Sequence, residues 1–155
     1  MPDLLKEYND SNLLHKDMTD KIIRCFYDVY NDLGYGFLEK VYKNALYYVL
    51  IDEGFNCKVE SPIKVYHRGR LVGNYRCDLL VNDKVIIEAK TCYELDEAHV
   101  LQLMNYLKAT SIEVGLVLNF GVNPQFKRRL FTNDKKNIQK ISENPSNPSN
   151  QCITQ

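Results

Sequence analysis

Apolar positions in this chain change period part-way along it. Ile22, Ile23, Phe26, Val29, Tyr30 and Leu33 recur at three- and four-residue intervals, the spacing of an amphipathic helix. Thr19 can cap its start, with Asp20 in the first turn, and Gly34 gives it a natural stop. After Gly34-Tyr35-Gly36, Leu38, Val41, Tyr42, Ala45, Leu46, Val49 and Leu50 repeat the same period, predicting a second helix that ends at Gly54. From Cys57 the pattern becomes strand-like: KVESPIKVYHRG, RLVGNYRCDLLV and KVIIEAK, broken by an Arg68-Gly69 turn and by Asn82-Asp83-Lys84. The expectation is a three-stranded antiparallel meander, with Pro62 placing its first strand at an edge. A third helix follows over about Asp96–Ala109, then a short buried strand over Val114–Phe120. The order helix, helix, three strands, helix, strand suits an α/β sandwich: a mixed central sheet flanked by helices on both faces.

Both ends read differently. Residues 1–18 are polar and net acidic and are expected to form a loose arm; residues 142–155, with the repeat NPSNPSN, are expected to be disordered. The folded domain is placed at 19–141. Its length, like the 155 residues of the whole chain, fits one domain with a self-sufficient core.

Composition removes several classes. No long uncharged apolar window exists, so no transmembrane helix is expected, and the first residues lack the pattern of a secretory signal. Five scattered cysteines without a CxxC pair read as reduced thiols in an intracellular, cytoplasmic setting. Three distant histidines argue against zinc, and no G-x-G-x-x-G follows a strand, which disfavours a dinucleotide-dependent oxidoreductase. With 20 basic and 20 acidic residues the net charge is zero, which argues against binding of nucleic acid by bulk attraction. The charge is uneven, however. Lys127, Arg128, Arg129, Lys135, Lys136 and Lys140 against Asp134 give residues 121–141 a charge of +5.

The candidate chemistry lies in the second hairpin. Glu88 and Lys90, two apart in Ile86-Ile87-Glu88-Ala89-Lys90, emerge on one face of a strand. Whether Asp78 joins them depends on the loop. A two-residue turn pairs Asp78 with Ile87 and separates the carboxylates. A three-residue loop pairs Val81 with Val85, sets Asp78 opposite Glu88, and sets Arg76 opposite Lys90. Directly opposed side chains have Cβ atoms about 4.5–5.5 Å apart. Two carboxylates so close repel unless a proton or cation lies between them, and an oxygen-ligated divalent metal such as Mg²⁺ is one resolution. A lysine beside them would orient a nucleophile or stabilise developing charge. The bland alternative is a solvated polar face of ion pairs. Against it stand the apolar runs DLLV and VIIEAK, in which embedded charge is costly.

Other residues are ambiguous alone. Glu39, in the first turn of the second helix, taken alone reads as an i, i+4 partner of Lys43 with a favourable helix-dipole contact. His99, Gln102 and Tyr106 share one stripe of the third helix, facing either solvent or a site.

Together these elements are more specific. Gly36-x-x-Glu39-x-x-Tyr42, Asp78, Glu88-x-Lys90, Gln102-x-x-x-Tyr106 and Gly115-Leu116-x-x-Asn119-Phe120-Gly121 resemble the GxxExxY family, a branch of the PD-(D/E)XK nuclease superfamily, over about Thr19–Leu130. The resemblance implies a restriction-endonuclease-like αβββαβ core and a divalent-metal-dependent nuclease using Mg²⁺ or Mn²⁺, with DNA as the favoured substrate. It implies that Asp78 and Glu88 hold the metal with help from Glu39, that Lys90 positions the nucleophile and that Gln102 orients Lys90 or the substrate. Tyr42, His99, Tyr106 and the basic Lys127-Arg128-Arg129 are the implied substrate contacts. Cys77 stands where the superfamily's name has proline. A rival reading is a module that keeps the fold and binds nucleic acid or a protein without turnover. Enzymes that cut two strands often act as symmetric dimers, so a homodimer is an open expectation.

Overall fold

The computed structural model describes residues 13–136; the expected disordered tail and all but the last residues of the N-terminal arm lie outside them. Helix α1 spans Lys16–Leu33, α2 Glu39–Asp52 and α3 Glu97–Ala109; the strands are β1 Cys57–His67, β2 Arg70–Val81, β3 Val85–Lys90, β4 Val114–Asn119 and β5 Gln125–Leu130. They form one mixed sheet in the order β1-β2-β3-β4-β5. The β1–β2–β3 meander is antiparallel, β3 and β4 run parallel with α3 as the crossover, and β5 returns antiparallel to β4. The fold class is therefore the expected one.

Each face of the sheet has its own core. On one, Ile22, Phe26 and Val29 of α1 and Tyr42, Leu46 and Leu50 of α2 pack on Leu79, Val81, Val85, Ile87, Leu116 and Leu118. On the other, Val100, Leu103, Met104 and Leu107 of α3 pack on Leu80, Ile86 and Val117. Strand β4 is buried at every position, which explains its unbroken apolar run.

Three expectations are corrected. Helix α1 begins before Thr19: Met18 extends its apolar stripe onto the core, and Leu14 packs there from the turn that precedes the helix. Thr19 is inside it, its hydroxyl donating to the Lys16 carbonyl. The segment after Phe120 contains β5, which the sequence hid because an edge strand of charged residues lacks an apolar alternation. Its Phe126 and Leu130 nevertheless pack on the α1 side. Leu38 and Val41, expected in the core stripe of α2, are exposed at its first turn.

The turns fit the register. Arg68 and Gly69 both have positive φ (49° and 77°), as a two-residue hairpin turn with the twist of its strands demands. Asn82 and Asp83 do likewise (52° and 53°), and the three-residue loop pairs Val81 with Val85. Among the described residues, no helix is long and apolar enough to cross a membrane.

Candidate active site

The β2–β3 ladder closes Val81 on Val85, Leu80 on Ile86 and Leu79 on Ile87, and stops there. The next pair would be Asp78 and Glu88. The β1–β2 ladder breaks at the same level, between Val59↔Leu79 and Ser61↔Cys77. Opposite Asp78 on β1 stands Glu60, whose φ of 51° lies in the left-handed region unfavourable for a residue with a Cβ. The alternation of side chains inverts across this break: Leu79 faces the α1–α2 core, yet Cys77 faces the α3 core. Asp78 thus sits at a local switch of the sheet, and beyond it β1 and β2 run on as a two-stranded arm. The expected pairing of Arg76 with Lys90 is not made. Arg76 lies on the arm, opposite Pro62, with its guanidinium 3.9 Å from Glu60.

Where backbone pairing ends, side chains take over. Glu88 Oε1 accepts the backbone N–H of Asp78 at 3.0 Å, and Asp78 Oδ2 accepts the N–H of Ala89 at 2.8 Å. Glu88 is only 3% exposed, so the solvated-face reading fails for it. Burial, then the charge of Asp78, pushes the Glu88 carboxyl up to about 8. Burial and an acidic neighbour thus disfavour charge on Glu88, and a bound cation would relieve that.

Lys90 leaves the same strand toward α3. Its Nζ donates to Gln102 Oε1 at 2.9 Å, and Gln102 Nε2 donates to the Tyr106 hydroxyl at 3.2 Å. An ammonium only donates, so the amide must turn its oxygen to Lys90. The stripe His99-Gln102-Tyr106 therefore faces the site, with Tyr106 itself buried against Tyr75. His99 completes a capping box with Asp96 at the start of α3. Its Nδ1 accepts the Asp96 N–H, which leaves Nε2 as the nitrogen able to meet a ligand.

Glu39 opens α2 at the rim. Partial desolvation raises its carboxyl, Lys90 opposes this, and Asp78 adds to it, so the three groups lie within electrostatic reach. The i, i+4 partnership with Lys43 is not made; Lys43 pairs with Glu60 at 3.2 Å instead. Tyr42 is fully buried, stacked on Phe120 with ring centroids 4.7 Å apart. Its hydroxyl donates to the Gly34 carbonyl at 2.5 Å and accepts the Phe37 N–H at 3.2 Å, so it shapes the loop that leads into Glu39.

Asn119 had a place in the motif but no role. Fully buried at the end of β4, it accepts the N–H groups of Cys92 and Gly121 and donates to the Cys92 carbonyl. It clamps the chain just after Lys90. A lone amide in the apolar run VGLVLNF was the available signal, since a buried amide requires partners.

The basic stretch falls on β5. Arg128 donates to Thr19 Oγ1 at 2.9 Å and Asp20 Oδ1 at 3.0 Å, tying β5 to α1, and Arg129 is buried. Lys136 turns its ammonium onto the carbonyls of Thr110 and Ile112. Lys127 is half-buried, and Lys140 lies outside the described residues. A second basic surface is better exposed. Residues 62–76 of the arm carry Lys64, Arg68, Arg70 and Arg76 and no acid.

Buried Glu88 beside half-buried Asp78 gives an all-oxygen donor set that fits a hard divalent cation such as Mg²⁺ or Mn²⁺. Among the described residues no three His, Cys, Asp or Glu side chains already stand close enough to hold a metal. The pair supplies two protein ligands, and Glu39 stays at the rim.

The family profile described as the PD-(D/E)XK nuclease superfamily matches residues 16–129. The chain belongs to the PD-(D/E)XK nuclease superfamily. A solved structure described as the crystal structure of SSO0001 is 19% identical, with a TM-score of 0.46 over 76% of this chain; the chain spans 60% of that protein. No curated protein matches the chain.

Proposed function

We propose that the protein is a divalent-metal-dependent nuclease that hydrolyses phosphodiester bonds, with DNA the favoured substrate, and that it belongs to the GxxExxY branch. The observation that carries this reading is the pairing of buried Glu88 with half-buried Asp78 at a break in the sheet, with Lys90 two residues on. Superfamily membership and the Gly36-x-x-Glu39-x-x-Tyr42 motif support it.

Asp78 and Glu88 would hold Mg²⁺ or Mn²⁺, with Glu39 contributing from the rim. A divalent ion there supplies Lewis acidity toward a phosphoryl oxygen and makes a water more acidic. The chain's own residues do the positioning. Lys90, directed by Gln102, presents an ammonium to the nucleophile or to charge building on the phosphate. His99 Nε2, which carries the ring proton while Nδ1 accepts the Asp96 N–H, is a further donor at the rim. The exposed arm cations, rather than those of β5, take the phosphate backbone of the substrate.

The test is a panel of linear, flapped and branched DNA and matching RNA, incubated with Mg²⁺ or Mn²⁺ beside Lys90→Ala. Metal-dependent cleavage by the wild type, abolished in a folded Lys90→Ala protein, is the expected result. Cleavage unchanged by the substitution would remove the mechanism.

A further inference from the structure

Next to Glu39 and Lys90 the surface is aromatic. Tyr35 and Tyr93 are 63% and 73% exposed, and with Phe37 they line an open cleft of about 270 Å³ floored by Phe120 and Gly121. Two segments build it. One is the Gly34–Leu38 loop that delivers Glu39 to the site; the other is Thr91–Tyr93, the continuation of Lys90. Cys92, in the wall, feels the charges of both Lys90 and Glu39, so the cleft adjoins these two residues of the candidate site.

The wall is held firmly. The buried Tyr42 hydroxyl binds the loop at Gly34 and Phe37, and the Phe37 ring meets Tyr42 edge-on with centroids 6.2 Å apart. Asn119 clamps Cys92 through both its backbone groups. At Gly121 a Cβ would come within 2.0 Å of the Cys92 carbonyl oxygen, so floor and wall touch with no room for a side chain. The backbone on either side of the cleft is thus held, and the rings of Tyr35 and Tyr93 stand in water near Glu39 and Lys90.

We propose that this cleft takes one unpaired nucleobase of the strand being cut, next to the phosphate held at Asp78, Glu88 and Lys90. A base within a continuous duplex is stacked on both faces and has none to offer. A single strand, a flap or a frayed end offers one, and aromatic rings accept it with little regard to sequence. The inference rests on the nuclease reading and names its substrate class: nucleic acid with unpaired nucleotides at the cut, in preference to continuous duplex.

Binding is measured by fluorescence anisotropy in Mg²⁺, using a labelled 12-nucleotide single strand and the blunt duplex of the same sequence. A Lys90→Ala background keeps the strands intact, and Tyr93→Ala, Phe37→Ala and Tyr93→Phe are added to it. The single strand is expected to bind at least about 10-fold tighter than the duplex. Each alanine should weaken single-strand binding by about 5- to 150-fold, the span of base–aromatic stacking, with duplex binding little changed and Tyr93→Phe restored. Equal affinity for the two forms, or single-strand binding indifferent to both alanines, would overturn the proposal; so would a cleft that prefers an aromatic peptide to the oligonucleotide. Cleavage with Lys90 present is read separately. Duplex cleavage indifferent to Tyr93→Ala leaves the nuclease reading standing without the cleft. Tyr93-dependent strand binding with no cleavage in either metal leaves the cleft without the nuclease.

Discussion

Glu88 and Asp78 replace a missing rung of the β2–β3 ladder with their own side chains: Glu88 takes the N–H of Asp78, and Asp78 takes the N–H of Ala89. The strands can part here without orphaning either backbone donor, and the gap exposes two carboxyl groups to one another. That arrangement satisfies the backbone while leaving the charges unsatisfied.

The first prediction follows from the proton on Glu88. Its carboxyl has an ordinary value of 4.5 in an unfolded chain and about 8 in the metal-free fold. The folded state therefore holds a proton that the unfolded state releases, so stability is full below pH 4.5 and falls as pH rises through about 8. Thermal melts in EDTA should show Tm declining across this window, and Glu88→Gln should flatten the decline. Added Mg²⁺ should raise Tm most at the alkaline end, where no proton competes. A Tm that rises steadily from pH 5 to 8 and is unaffected by Glu88→Gln would contradict the burial of an unpaired charge.

Gln102 reaches the chemistry only through Lys90. Removing its amide in Gln102→Ala should lower kcat by about 10- to 100-fold, the scale of a misplaced group, with KM nearly unchanged. Gln102→Glu, which keeps an acceptor for the ammonium, should recover part of the rate. Steady-state kinetics on the best substrate of the cleavage panel separates this from direct substrate binding, which would move KM.

Tyr42 is the residue whose role changes most between motif and structure. As a buried hydroxyl holding Gly34 and Phe37, it should matter to folding before catalysis. Tyr42→Phe removes two hydrogen bonds and should cost about 1–3 kcal/mol in urea unfolding. The aromatic stack on Phe120 survives that substitution, so a loss near zero would show that the hydroxyl does not hold the loop.

The two basic surfaces should separate by phenotype. Arg128→Ala breaks a bond between β5 and α1 and should lower stability by about 1 kcal/mol, Asp20 being partly exposed, while DNA affinity stays the same. Arg68→Ala with Arg70→Ala should leave Tm unchanged and flatten the plot of log affinity against log salt by about one unit for each cation taken from the phosphates. The reverse pattern would return phosphate binding to β5.

Much of this was legible from residue pattern. The two faces of α/β packing follow from alternation, whereas the Asn82–Lys84 loop allowed two registers, and the structure takes the one that sets Val81 opposite Val85. Strand β5 was not legible, since Lys127, Arg128 and Arg129 write charge where a strand usually writes apolar residues; its pairing with β4, the packing of Phe126 and Leu130 and the ion pair to Asp20 are tertiary contacts. The inversion at Glu60 was equally hidden. Nothing in a strand of ordinary residues announces a positive φ, yet it marks the level at which the β1–β2 ladder breaks, beyond which Arg76 stands opposite Pro62 on the arm. Tyr42 was visible as a motif residue, but only its burial distinguishes a support for the loop from a ligand contact.

The central claim is that Asp78 and Glu88 form a divalent-metal site. Calorimetric titration of Mn²⁺ into the wild type, Asp78→Asn and Glu88→Gln at pH 8 tests it directly, with circular dichroism confirming that each variant stays folded. Saturable binding to the wild type that disappears in both variants is the predicted result. Binding of equal strength in all three proteins, or none in the folded wild type, would contradict it.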